Sequence, residues 1–109
     1  MFSLFKNNLN LNLNKVQFLS YSKQTSKILS TQINYLNQQY NNLKIQLDTY
    51  NLYYDDPLIK KEIEYIKDKI NQIKYDYKFQ KKNATILLYN IDITKEKCYT
   101  LNKKIFYYL

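Results

Sequence analysis

Two helical stripes of apolar residues, joined by one short turn, constrain the fold of this chain more than any other feature. In the first stripe the side chains recur at alternating spacings of four and three residues, which is the period of one helix face. Its members are Leu29, Ile33, Leu36, Tyr40, Leu43, Leu47 and Tyr50. The second stripe has the same period and contains Ile59, Ile63, Ile66, Ile70, Ile73 and Tyr77. The pattern predicts two helices folded back on each other.

The connection between the stripes, residues 51–56, is predicted to be a turn. Asp56 precedes Pro57, which is the arrangement of an N-cap followed by proline at the first helical position. Asp55 and Asp56 also suit the positive end of a helix dipole. A catalytic carboxylate pair is the alternative, but the chain has no His and no Gly to accompany it. The start of a helix is therefore the preferred interpretation.

These signals predict a mainly α fold, namely a two-helix antiparallel hairpin with extensions at both ends. Residues 1–24 form the N-terminal extension, residues 25–83 the helical hairpin (helices over 25–50 and 57–83), and residues 84–109 the C-terminal extension. The first extension lacks acids, as mitochondrial presequences do. Its Leu9, Leu11 and Leu13 alternate with Asn, so we interpret it as part of the mature protein. Residues 86–93 are rich in strand formers, and a β-hairpin and a helix both remain open for the C-terminal extension.

The composition indicates coding pressure as well as chemistry. All 17 basic residues are Lys, and Gly, His and Trp are absent from the 109 residues. Asn, Lys, Tyr and Ile, which have AT-rich codons, are abundant. We interpret this as the product of an AT-biased organellar genome, and the predicted location is the mitochondrial matrix.

The same composition excludes several kinds of site. A single Cys cannot form an internal disulfide framework, and without His the usual zinc ligand set cannot be assembled within one chain. No nucleophile–base pair of the common types is available either. We therefore expect no catalysis, no cofactor, no metal and no small-molecule substrate. No run of 18 apolar residues is present, so no transmembrane segment is expected.

A column of lysines accompanies the second stripe. The net charge of +8 favours a polyanionic partner. Lysines recur every seven residues along one edge of the second helix, about 10 Å apart along its axis: Lys60, Lys67, Lys74 and Lys81. The other edge is mixed and carries Glu62, Lys69 and Asp76. Such a column can be the solvated flank of a coiled coil, but we favour a ladder of ammonium groups along a phosphate backbone.

The residues of both helices resemble one family of ribosomal proteins. The string Asn42-Leu43-Lys44-Ile45-Gln46-Leu47 is similar to the Asn-Leu-Arg, apolar, Gln and Leu string that ends the first long helix of the universal large-subunit protein twenty-nine. The spacing of its second helix is reproduced by Ile63, Ile66, Ile70 and Ile73-Lys74. The resemblance covers roughly residues 22–80. Asp68 and Gln72 depart from it, because they stand where the family has basic residues.

The resemblance implies structural binding of large-subunit rRNA near the peptide exit tunnel, beside neighbouring ribosomal proteins. Lys44, Lys67 and Lys74 match basic positions of the family, and the lysine column adds Lys60, Lys61 and Lys81 as candidate RNA contacts. The expected function is that of a structural protein of the large subunit of a mitochondrial ribosome. The alternative is an accessory coiled-coil subunit of a mitochondrial membrane complex, such as a respiratory enzyme or ATP synthase. In that case the two apolar extensions would contact lipid or membrane subunits.

Overall fold

The computed structural model describes residues 20–52 and 56–107, and these residues contain three long helices. We label them α1 (Lys23–Thr49), α2 (Pro57–Lys78) and α3 (Ala84–Tyr107). Each helix packs against the other two. Contacts between side chains show that α2 runs antiparallel to α1 and that α3 returns antiparallel to α2. The result is an up-down-up bundle in which α1 and α3 are parallel.

The first helix begins at a hydroxyl cap. The Ser22 side chain accepts a hydrogen bond from the Thr25 N–H at 3.1 Å, which satisfies one of the free donors of the first turn. Most of the predicted stripe is buried: Leu29, Ile33, Leu36, Leu43 and Leu47. Tyr40 packs against the core from its margin, whereas Tyr50 is the C-cap and is exposed. The sequence therefore predicts this packing face correctly up to the last turn.

The second helix begins as the sequence predicts. Asp56 is its N-cap, and Asp56 Oδ1 accepts from the Leu58 N–H at 3.0 Å and from the Ile59 N–H at 3.3 Å. Pro57 occupies the first turn, where its missing N–H costs nothing. All five isoleucines of the second stripe are buried. Residues 53–55 of the predicted turn, including Asp55, lie outside the described residues.

The prediction of a two-helix hairpin is wrong. The β-hairpin considered for the C-terminal extension is wrong as well. Residues Ala84–Tyr107 form a third helix, and residues 20–52 and 56–107 contain no strand. The helix buries residues at the same spacings of four and three: Leu87, Ile91, Thr94, Cys98, Leu101 and Ile105. The physical reason is that a two-helix hairpin leaves part of its apolar seam in water, and an amphipathic third helix covers that seam.

The three stripes form one core of buried apolar side chains. Thr94 is a polar member of this interior, and its hydroxyl donates to the Asn90 carbonyl oxygen at 2.8 Å. This bond within α3 satisfies the buried hydroxyl, so no polar partner from another helix is needed. Cys98 occupies another position in the same stripe and is 2% exposed. It therefore acts as a small apolar side chain.

The second helix ends at Lys78, five residues before the predicted end at residue 83. Gln80 adopts a positive φ of 51°. The N–H of the next residue, Lys81, donates to the Asp76 carbonyl at 2.8 Å, and the Gln80 N–H donates to Tyr77 at 3.2 Å. This pair of bonds is a Schellman motif. Gly usually occupies the left-handed position, but the chain contains none. Of the predicted N-terminal extension, residues 1–19 lie outside the described residues.

Replacing Gln80 by Gly should stabilise the protein. A side chain in the left-handed region costs roughly 1–2 kcal/mol, and part of this is offset by the larger unfolded-state entropy of Gly. We expect a gain of about 0.5–1 kcal/mol in the free energy of unfolding, measured by thermal denaturation followed by circular dichroism. Gln80→Ala is the control and should give no gain. A lower melting temperature for Gln80→Gly would contradict the assigned turn.

Candidate nucleic-acid interface

One hydrogen bond shows which side of α2 carries the predicted lysine column. Lys74 Nζ donates to Asn37 Oδ1 on α1 at 3.0 Å. Lys67 and Lys60 precede Lys74 by one and two heptads, so all three lie on the side of α2 that borders α1. All three side chains are exposed. The column is therefore a continuous basic edge of the α1–α2 pair that extends about two turns on either side of Lys67.

The matching side of α1 contributes a further lysine. Lys44 follows Asn37 by seven residues, as Lys67 precedes Lys74 by seven. Asn37 contacts Lys74, and the two helices are antiparallel. One heptad forward along α1 from Asn37 therefore lies beside one heptad back along α2 from Lys74. Lys44 thus lies across the seam from Lys67. We call these four residues, Lys44, Lys60, Lys67 and Lys74, the lysine edge.

An acidic residue on α2 lies next to the lysine edge. Glu64 lies within one helical turn of both Lys60 and Lys67. Its charge lowers the positive potential at that end of the edge, whereas Asn37 beside Lys74 is neutral. The Lys74 end therefore offers the stronger field for an anion, with an amide group beside it that can bond to phosphate oxygens.

Two of the six predicted RNA contacts lie elsewhere. Lys61 lines an open groove between α2 and α3, so it faces away from the seam with α1. Lys81 follows the Schellman turn at Gln80 and does not continue the register of α2. Lys81 was predicted to lie on the column because the second helix was predicted to continue to residue 83. The structure thus brings four of the predicted residues together and separates Lys61 and Lys81 from them.

The opposite edge of α2, predicted to be mixed, faces α3. There Glu62 Oε2 accepts from Lys104 Nζ at 2.7 Å. Asp76 is 3% exposed, accepts from Gln72 Nε2 at 3.0 Å and lies 3.6 Å from Lys82 Nζ. Both carboxylates are therefore engaged within the protein. Their charges do not oppose an anion that approaches the lysine edge from the far side of the helix.

Asp76 also lies next to a group of polar and aromatic side chains at the end of the bundle where α1 begins. The Tyr21 and Tyr77 rings stack with centroids 5.9 Å apart, the Tyr21 hydroxyl donates to the Lys82 carbonyl, and the Ser26 and Tyr77 hydroxyls lie 2.8 Å apart. Burial, then the charge of Asp76, then Tyr77 raise the pKa of Tyr21. The cluster joins the start of α1 to the end of α2, and we interpret it as structural. Tyr77, at the end of the second stripe, is the one residue of this cluster that the sequence pattern singles out.

Asn37 is the residue of the interface that sequence reasoning missed. Asn is abundant in this chain, so no single Asn attracts attention. The available signal was its position, seven residues before Lys44 on the same helical face. Such a position predicts that Asn37 lies beside the lysine edge, but it assigns no function to Asn37. Only the contact with Lys74 shows that Asn37 faces the lysine column.

Comparisons with known proteins add no family to this picture. No family model, no curated protein and no solved structure matches the chain. None of the three helices is both long and apolar enough to cross a membrane. In the part of the chain that the structure describes, no three His, Cys, Asp or Glu side chains gather as metal ligands would.

The Cys98 thiol should be unreactive in the native protein. Burial raises the pKa of this thiol from 9.0 to about 11, and only the thiolate is an effective nucleophile. At pH 8 the thiolate fraction then falls from about 10% to about 0.1%. We expect iodoacetamide to alkylate Cys98 at least about 100-fold more slowly in buffer than in 6 M guanidinium, as measured by mass spectrometry. Equal rates would contradict the buried position of this side chain.

Proposed function

We propose that this protein is a structural rRNA-binding protein of the large subunit of a mitochondrial ribosome, and that the lysine edge binds the phosphate backbone. The observation that carries the proposal is that α3 packs beside the opposite edge of α2 and leaves Lys60, Lys67 and Lys74 exposed. An ammonium group binds phosphate as a point charge and releases counterions from the nucleic acid. A straight, exposed row of such groups suits a polyanion better than it suits a small ligand.

The resemblance at the sequence level supports the same edge. The three lysines that match basic positions of the ribosomal family, Lys44, Lys67 and Lys74, come from two different helices. The packing of α1 on α2 places all three on one surface. A chance likeness in spacing along each helix would not require this convergence. The third helix has no counterpart in the resemblance, which covers roughly residues 22–80.

The charge balance gives the proposal its physical basis. The chain carries 17 Lys against 9 acids, and two of the acids on α2, Glu62 and Asp76, are bonded within the bundle. Long-range attraction to a polyanion therefore acts on the whole molecule, and the lysine edge provides short-range contacts on one side. This combination gives binding that depends strongly on salt and little on base sequence.

Replacing Lys60, Lys67 and Lys74 together by Gln should weaken RNA binding and reduce its salt dependence. Loss of three phosphate contacts lowers the magnitude of the slope of log K against log salt by about 2, which corresponds to about 100-fold in affinity at 0.1 M salt. The measurement is filter binding of the full chain to a transcript of the organelle's large-subunit rRNA between 0.05 and 0.3 M salt, values chosen to span about one decade of affinity or more.

The matched control replaces Lys69, Lys97 and Lys103 by Gln. These residues are exposed and lie away from the lysine edge, so the net charge changes equally. We expect a clearly smaller loss of affinity for this control. Equal losses for both triple variants would show that only total charge matters and would contradict the proposed interface.

Sedimentation of organelle lysate extends the same test to the assembly. The wild-type chain should co-sediment with large ribosomal subunits, nuclease should release it, and the edge variant should be depleted from that fraction. Co-purification with a membrane complex that resists nuclease would favour the accessory-subunit alternative and overturn the ribosomal proposal.

A further inference from the structure

An open groove lies between α2 and α3, on the side of α2 away from the lysine edge. Its volume is about 720 Å³. The floor is formed by the buried side chains of Ile66 and Leu101, and Tyr65, Ile93 and Thr100 form its walls. The groove is thus an opening directly above the hydrophobic core, with apolar groups on both sides.

Exposed apolar side chains extend this groove along both helices. On α2, Leu58 (72% exposed) and Tyr65 (44%) are one heptad apart; the next heptad position is the polar Gln72, and Phe79 (50%) at the C-cap follows one heptad later. On α3 the corresponding column contains Ile86 (41%), Ile93 (38%) and Tyr107 (89%). A heptad repeat on two neighbouring helices fits the apolar face of a further helix, as in a four-helix bundle. A compact small molecule would occupy only the central part of such a groove.

The charges around the groove indicate the chemistry of the occupant. Lys69 Nζ and Lys97 Nζ lie 5.4 Å and 5.1 Å from the centroid of the same Tyr65 ring, and Lys61 lines the groove below them. Of the acids, Glu62 is bridged to Lys104 at 2.7 Å, which leaves Glu96 as the second carboxylate of the lining. Lysines therefore outnumber glutamates around Tyr65. A second copy of this chain, with a net charge of +8, is a poor match to that surface.

We propose that the α2–α3 groove binds an amphipathic helix of a partner protein, which has apolar residues at heptad spacing and acidic residues along its flanks. The apolar residues pack on the exposed Tyr65 and Ile93, above the buried Ile66 and Leu101, and the acidic flank lies beside Lys69 and Lys97. Binding in this mode completes a four-helix bundle. The inference does not depend on RNA binding, because the groove and the lysine edge lie on opposite sides of α2.

The test uses the full chain and synthetic three-heptad peptides. The probe peptide has Leu at the two core positions of each heptad and Glu on both flanks, and a second peptide has Lys in place of each Glu. We expect the Glu peptide to bind with a dissociation constant at least about tenfold lower than the Lys peptide, as measured by fluorescence anisotropy. Amide chemical shifts of Ile93, Thr100 and Leu101 should change on titration.

Variants of the protein locate the site. Ile93→Asp should weaken binding of the Glu peptide at least about tenfold, because it removes an apolar contact and adds a repelling charge. Tyr99→Asp on the same helix is the control, since Tyr99 is 59% exposed and lies on the side of α3 that borders α1, away from the groove. Lys69→Gln with Lys97→Gln should weaken the Glu peptide and leave a peptide with Gln flanks unchanged. Circular dichroism melts confirm that each variant is folded.

Three outcomes would overturn the proposal. The first is equal binding of the Glu and Lys peptides. The second is a shift of the groove amides when residues 1–19 are removed, together with a gain in peptide affinity, which would make the chain's own segment the occupant. The third is a concentration-dependent dimer that Ile93→Asp abolishes. The Lys60, Lys67 and Lys74 variant should bind the Glu peptide normally, so failure here is distinct from failure of RNA binding.

Discussion

The packing of three heptad stripes into one core is the constraint on which the rest of this structure depends. Among the described residues, fifteen apolar side chains are buried in a single cluster, five from each helix. The first helix is not expected to be stable alone in water, because many of its solvent-facing residues are Asn, Gln and Thr with modest helix propensity. Burial of the shared stripes therefore stabilises all three helices together.

The position of α3 determines which surfaces remain for partners. The Glu62–Lys104 ion pair and the bond from Lys95 Nζ to Gln32 Oε1 at 2.7 Å show that α3 contacts one side of the α1–α2 pair. The lysine edge lies on the other side, where Lys60, Lys67 and Lys74 stay exposed. The same placement creates the apolar α2–α3 groove. One packing event thus produces a basic surface and an apolar surface on opposite sides of α2.

The sequence predicts the first two helices well because their stripes consist of Leu and Ile at a strict helical period and because Asp56-Pro57 marks the start of α2. It does not distinguish the third helix from a β-hairpin. The α3 stripe contains Thr94 and Cys98, while Ile86, Tyr89 and Ile93 stand on its outer side. Apolar residues on both sides weaken the helical period, and several of them are strand-forming Ile and Tyr. Retrospectively, the signal was the 4-3-4-3-4 spacing from Leu87 to Ile105.

The candidate site was predicted in part for the same reasons. Residues in register with the stripes, Lys60, Lys67 and Lys74, fall on one edge as the period requires. Lys81 was misplaced because the left-handed turn at Gln80 has no Gly to announce it. A two-helix pattern cannot show that Lys61 lies away from the lysine edge, since the groove that it lines exists only when α3 is present.

The most direct test of the shared core compares two neighbouring isoleucines of α3. Ile91 is fully buried and Ile93 is 38% exposed. Ile91→Ala should lower the free energy of unfolding by about 2–4 kcal/mol and Ile93→Ala by less than about 1 kcal/mol, as measured by urea denaturation. Hydrogen exchange in α1 and α2 should accelerate with the Ile91 variant as much as in α3. Equal effects of the two substitutions, or acceleration confined to α3, would contradict a single three-helix core.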